Sequence, residues 1–134
     1  MRSIKRCSVF AFPTLLVLQA SVAWGQASSV IKAAPPLPPP TGTVVYVSAE
    51  WELEYQLVTA SAGTTIMLNP GNYYSTKTLA PNAGLTIRGA TGNRDDVVVW
   101  GGGMNNSAVQ RNVFWITKSD ITIADLTIRD AYYH

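Results

Sequence analysis

The sequence predicts an all-β fold built as a solenoid, and three observations carry that prediction. Leu85-Thr86-Ile87-Arg88 recurs letter for letter as Leu126-Thr127-Ile128-Arg129. The second copy lies in Asp120–Asp130, DITIADLTIRD, where two short β-type stretches are separated only by Ala124-Asp125. The folded part also reads as a run of very short β-branched stretches with connectors of unequal length. Repetition of a short β motif, with Leu and Ile inward and Thr outward, suits stacked turns of chain. An antiparallel β-sandwich is the competing architecture. Ala124-Asp125 suits a bend better than a hairpin, because two-residue hairpin loops favour Gly or Asn.

The N-terminal region is of a different kind. Arg2, Lys5 and Arg6 precede an apolar run, Ser8–Ala20, and small residues follow at Ala23, Gly25 and Ala27. That order of charge, apolar core and exit site reads as a secretory signal peptide over residues 1–27. Its apolar run is shorter than the roughly 20 residues a membrane span needs. The one cysteine, Cys7, lies inside this peptide, so the exported chain has no thiol for a disulfide or a metal. Residues 28–42 are rich in proline and read as an extended linker.

Charge narrows the partners. The chain of 134 residues has a formal charge of +2, but three of its cations fall in the signal peptide. From Ser28 onward, seven Lys/Arg stand against eight acids, a net charge of −1. No basic stripe marks a nucleic-acid surface. Secretion or release to the periplasm is the expected destination, with no membrane span after cleavage.

Thr43–Val47 is β-branched and aromatic and reads as a strand. Ser48 is placed to cap a helix over AEWELEYQLVTA, whose early glutamates complement the helix dipole. Leu53, Leu57 and Ala60 share a face, with Trp51, Tyr55 and Val58 beside it. Trp51, Leu53 and Leu57 are expected to be buried beneath this helix, which would cap the apolar end of the stack. Gly63 is expected to end it in a left-handed conformation. Strands follow at Thr64–Leu68, Tyr73–Leu79, Leu85–Arg88, Val97–Trp100 and Val113–Thr117, with a type II turn expected at Asn69-Pro70-Gly71-Asn72. Met104–Asn112 reads as a surface loop.

Two segments, LEYQLVTASAGTTIMLNPGNY at 53–73 and LTIRGATGNRDDVVVWGG at 85–102, resemble the N-terminal part of secreted bacterial right-handed parallel β-helix proteins of the pectate-lyase-like superfamily. The resemblance covers residues 43–134. It implies an all-β right-handed parallel β-helix, first rungs with an N-terminal capping helix, cut short. It further implies a parent acting on polysaccharide by lyase-like chemistry, with acidic polysaccharide as the partner class. Ca²⁺ would serve only a longer parent, and the chain alone would be inactive. The alternatives are a non-catalytic solenoid that binds glycans or surfaces, and a truncated product without function.

No motif of that superfamily's catalytic sets is present, so the catalytic residues are unassigned, and no cofactor or metal site is expected. Arg88 and Arg129, at equivalent places after the two repeats, could align into a ladder for uronate carboxylates; solvated edge groups are the plainer reading. Asp95-Asp96 could serve Ca²⁺ or simply shape their turn. Asp125 and Asp130 read as strand terminators. His134 has no visible partner, and Asn105-Asn106-Ser107 matches a glycosylation pattern that has no meaning in a bacterial source.

Overall fold

The computed structural model describes residues 35–103, 105 and 111–133, which belong to one compact unit, Pro35–His134. The signal peptide, the first part of the linker, His134 and most of the Asn105–Ser107 motif lie outside the described residues.

Among the described residues, seven strands and one α-helix follow in order. β1 is Val44–Val47, α1 Glu50–Thr59, β2 Thr65–Leu68, β3 Gly71–Tyr74, β4 Thr86–Gly89, β5 Val97–Trp100, β6 Thr122–Ala124 and β7 Thr127–Arg129. They form a four-stranded sheet, ordered β1-β2-β4-β6, and a three-stranded sheet, ordered β3-β5-β7. Every pairing is parallel.

This corrects the expected all-β right-handed parallel β-helix with a capping helix. The described residues make two small parallel sheets plus one helix, a mixed arrangement in which no solenoid is evident. The repeat that suggested stacking does not stack. The first LTIR copy runs into β4, which pairs with β2 and β6, whereas the second runs into β7, which pairs with β5 in the other sheet. The reason is local. Asp125 adopts a left-handed φ of 56° after only three residues of β6 and turns the chain toward the second sheet. The connector is therefore the expected bend, but it separates the two copies.

Register decides which side chains meet. Ile66, Ile87 and Ile123 align across one sheet, and Tyr73, Val99 and Ile128 across the other. Period-two alternation turns both rows inward. Leu68, Leu85, Ile87, Val97 and Val99 have no exposed surface, as expected for the centre of the core. At the edge strand β7 the burial weakens, and Ile128 is 45% exposed.

Helix α1 sends Leu53 and Leu57 into this core. Trp51 does not follow them: it is 66% exposed, with Tyr55 and Val58 also outside. The reason is angular, since Leu53 and Leu57 fill the inward stripe and Trp51, Tyr55 and Val58 fall on a neighbouring one. The start of α1 also differs from expectation. Ala49 is the N-cap, and Glu52 reaches back to accept the N–H groups of Ser48 at 2.7 Å and Ala49 at 3.2 Å. The Ser48 hydroxyl instead accepts from Asn69 Nδ2 at 2.8 Å. The helix stops at Thr59, with Ala60 extended, so Gly63 is not its cap. Gly63 is left-handed with φ 85° in the following turn and donates its N–H to the Gly84 carbonyl at 2.8 Å.

Other connections are less regular than the sequence suggests. Gly71 opens β3 with φ 157°, whereas a type II turn places this residue near +80°. Tyr73–Leu79 narrows to a strand ending at Tyr74, and Val113–Thr117 to a single parallel bridge between Leu79 and Phe114. The buried Tyr73 hydroxyl lies 2.9 Å from the Val47 carbonyl and 2.8 Å from that of Asn69, joining β1, the β2–β3 corner and β3. Burial raises the pKa of its phenol, and the Glu52 carboxylate adds to the effect.

Glu50 ties the helix to the segment after β3. Its Oε1 accepts the Thr76 N–H at 2.9 Å and the Thr76 hydroxyl at 3.1 Å. Burial acts to raise the Glu50 pKa, but bonding to Thr76 and to the Glu54 carboxyl group, with the nearby Lys77 charge, leaves it below its ordinary 4.5. A carboxyl lowered on folding stabilises the fold above its unfolded pKa and loses that contribution as pH falls through its folded value. Glu50→Gln is expected to cost about 1 kcal/mol or less at neutral pH, since the group is largely solvated. The difference from wild type should shrink as pH drops below 4.5. Urea unfolding at a series of pH values checks this; a gap that widens in acid would contradict the assignment.

Candidate functional site: an aromatic and arginine column on the three-stranded sheet

The outward face of the three-stranded sheet follows from the same alternation that builds the core. Tyr73, Val99 and Ile128 point inward, so their neighbours Tyr74, Trp100 and Arg129 point outward. Register places Tyr74 beside Trp100 and Trp100 beside Arg129. Adjacent parallel strands lie about 4.8 Å apart, so three consecutive strands present two aromatic rings and one guanidinium in a single row.

The row is held from within. Tyr74 and Trp100 meet edge to face, with centroids 5.0 Å apart and planes at 85°. That geometry is favourable for aromatic quadrupoles and restrains both rings. Tyr74 is 56% exposed, and Trp100 is half-buried. Beside them runs a second outward row, Asn72, Val98 and Thr127. The Thr127 hydroxyl donates to the Arg94 carbonyl at 3.0 Å, which fixes the turn before β5 against this face.

Two exposed arginines belong to this part of the molecule: Arg129 stands in the row itself, and Arg94 lies in the turn before β5. The Arg129 side chain is 60% exposed, and its Nε lies 3.5 Å from Asp130. Arg94 is also exposed, with Nε 3.6 Å from Asp95. Both pairs join sequence neighbours at long range in solvent, where such contacts contribute little. Each guanidinium therefore keeps donors available for an incoming carboxylate.

The expected Arg88–Arg129 ladder does not form. Arg88 belongs to the four-stranded sheet, where its side chain is 11% exposed. Its Nη2 and Nε contact Asp125 Oδ2 at 2.8 Å and 3.0 Å, and Nη1 donates to the Pro38 carbonyl at 3.0 Å. Arg88 thus clamps the β6–β7 corner and the proline-rich segment to β4. Arg129 remains available but is aligned with Trp100.

The acidic candidates serve chain geometry. The Asn93 side chain accepts the Asp95 N–H at 3.2 Å and donates to Asp96 at 3.0 Å, which shapes a short 3₁₀ turn over Arg94–Asp96. Asp120, Asp125 and Asp130 all have left-handed φ, between 56° and 59°, and bound the last two strands. Asp tolerates this conformation better than most residues with a side chain. Among the described residues, no group of three or more His, Cys, Asp or Glu could hold a metal ion. His134 lies outside them.

Tyr74 and Trp100 were not singled out from sequence. The available signal was their shared place as the last residue of a four-residue strand. It acquires meaning only when β3 and β5 are known to pair in register.

No helix among the described residues is long and apolar enough to cross a membrane. Compared with known proteins, the chain matches no family model, no curated protein and no solved structure.

Proposed function

We propose that this chain is a glycan-binding part of an exported protein and that it engages acidic polysaccharide along the Tyr74–Trp100–Arg129 column. The observation that carries the reading is the in-register row of two restrained aromatic rings and an exposed guanidinium. Pyranose rings present flat C–H faces that pack on aromatic side chains, and a uronate adds the carboxylate that a planar guanidinium recognises. The export signal read from residues 1–27 supports the extracytoplasmic setting in which such polymers occur.

Isothermal titration of the full chain with oligogalacturonate, oligomannuronate and a neutral glucan tests the reading. Both acidic oligomers should bind, and added salt should weaken them more than it weakens any binding of the glucan. Trp100→Ala should lower affinity for the acidic oligomers by about tenfold, the cost expected for removing an aromatic anchor. Equal affinities of wild type and Trp100→Ala, or absence of binding to both acidic oligomers, would remove the proposal.

A further inference from the structure

The Tyr74–Trp100–Arg129 row runs to β7, the edge of the three-stranded sheet, where it meets a concavity of about 470 Å³. That volume lies in the range of small-molecule sites, roughly 300–1,000 Å³. Arg129 lines it, so the row and the concavity share one guanidinium. Phe114, Ile128 and Tyr133 supply apolar and aromatic wall. Ile128 points the other way from Arg129, toward the core, yet it is 45% exposed because β7 has a neighbour on one side only.

The walls are held from within the chain. The Arg111 carbonyl accepts the N–H groups of Tyr132 at 3.2 Å and Tyr133 at 3.4 Å, which ties the segment after β7 to the segment leading into Phe114. The Arg111 guanidinium is in turn bound to the carbonyls of Ser75 at 2.7 Å and Thr76 at 2.6 Å, just past β3. Tyr132 and Tyr133 meet edge to face, with centroids 4.9 Å apart and planes at 80°. Such a pair restrains the ring that lines the concavity. The polar lining is Asn112, Arg129 and Asp130. Asp130 lies 3.5 Å from Arg129 Nε, so the two ionised groups leave the concavity without net charge. A neutral substituent therefore suits it better than a second carboxylate. The Asn112 amide and the Arg129 guanidinium offer N–H donors, and the apolar wall takes a hydrocarbon end.

We infer that this concavity is a further subsite of the glycan column and takes the O-acetyl group of an acetylated uronan. The acetyl methyl packs on Phe114, Ile128 and Tyr133, and the ester carbonyl accepts from Asn112 or Arg129. The inference rests on the reading that acidic polysaccharide lies along Tyr74–Trp100–Arg129. Acetylation at a hydroxyl leaves the uronate carboxylate ionised for Arg129, whereas a methyl ester of the carboxyl group removes that charge. The site therefore prefers the first modification and rejects the second.

Calorimetric titration of the full chain with oligomannuronate, its O-acetylated form and its methyl ester, all of one length, tests this. The acetylated oligomer should bind about tenfold more tightly than the unmodified one, through one buried methyl and one added hydrogen bond. The methyl ester should bind several-fold more weakly than the unmodified oligomer. Tyr133→Ala should bring the ratio of acetylated to unmodified affinity toward one. Trp100→Ala should lower both affinities and keep the wild-type ratio. Equal affinity of wild type for the acetylated and unmodified oligomers, or a ratio unchanged by Tyr133→Ala, would overturn the inference and leave the column standing. Failure of both oligomers to bind would instead remove the glycan reading itself, and this subsite with it.

Discussion

Gly89→Ala is expected to destabilise the protein by about 3 kcal/mol or more, the upper end of the cost of overpacking a core. A Cβ at this position would stand 2.0 Å from the Asp125 carbonyl oxygen and 3.1 Å from its carbon. Both atoms are backbone, so no rotamer change can relieve the overlap. Gly89 closes β4, and its row in the four-stranded sheet is Val47, Leu68 and Gly89. The β6–β7 corner passes directly over the place where the next side chain would be. Moving the corner would also break the Arg88–Asp125 clamp, whose contacts are 2.8 Å and 3.0 Å. Gly92→Ala provides the control. Gly92 has a left-handed φ of 74° but nothing within 4 Å of an added Cβ, so only backbone strain is introduced. That should cost about 1 kcal/mol. Urea unfolding of the two variants distinguishes the effects; equal midpoints would show that the close approach at Gly89 has no energetic consequence.

Leu57→Asp should abolish the folded state. Leu57 is 1% exposed and belongs to the main core cluster, with Leu53 beside it. Truncating a buried leucine costs about 2–5 kcal/mol through lost transfer energy and the cavity left behind. A carboxylate adds the further penalty of an unpaired buried charge. Domains of this size have only about 5–15 kcal/mol of stability in total. The helix also anchors the segment after β4's predecessor strands, because the Leu57 carbonyl accepts the Asn82 N–H at 2.9 Å and the Val58 carbonyl accepts Asn82 Nδ2 at 2.8 Å. Loss of α1 from the core would therefore loosen the approach to β4 as well. The variant should be recovered insoluble or lack a cooperative unfolding transition. Val58→Asp, on the exposed stripe of the same helix, should remain soluble with a stability change within about 0.5 kcal/mol. Wild-type melting of Leu57→Asp would mean that α1 does not contribute to the core.

These two variants also separate what can be read from sequence from what cannot. The inward choice of Leu57 follows from its spacing with Leu53, a local property of a helix. The requirement for glycine at position 89 depends on Asp125, which is 36 residues away in the chain. Sequence spacing carries no signal for that encounter. The candidate site divides in the same way. Arg129 could be singled out because it follows a repeat, but Tyr74 and Trp100 gain significance only through strand pairing. The expected partnership of Arg88 with Arg129 does not form because identical tetrapeptides occupy different places in the fold. The left-handed turn at Asp125 assigns them to different sheets.

The sequence by itself determined most local elements: most β-branched stretches made strands, though Val113–Thr117 made only a bridge; early glutamates and a two-leucine stripe made one helix, and Pro, Gly and Asp marked the turns. These depend on backbone preference and on side-chain periodicity, which act over a few residues. Tertiary structure alone decided which strands pair, which arginine is clamped and which stays exposed, and that Trp51 faces solvent. Those outcomes depend on where three left-handed aspartates turn the chain and on which backbones approach too closely to admit a side chain. Such constraints join residues that are distant in sequence, so they exist only once the chain is folded.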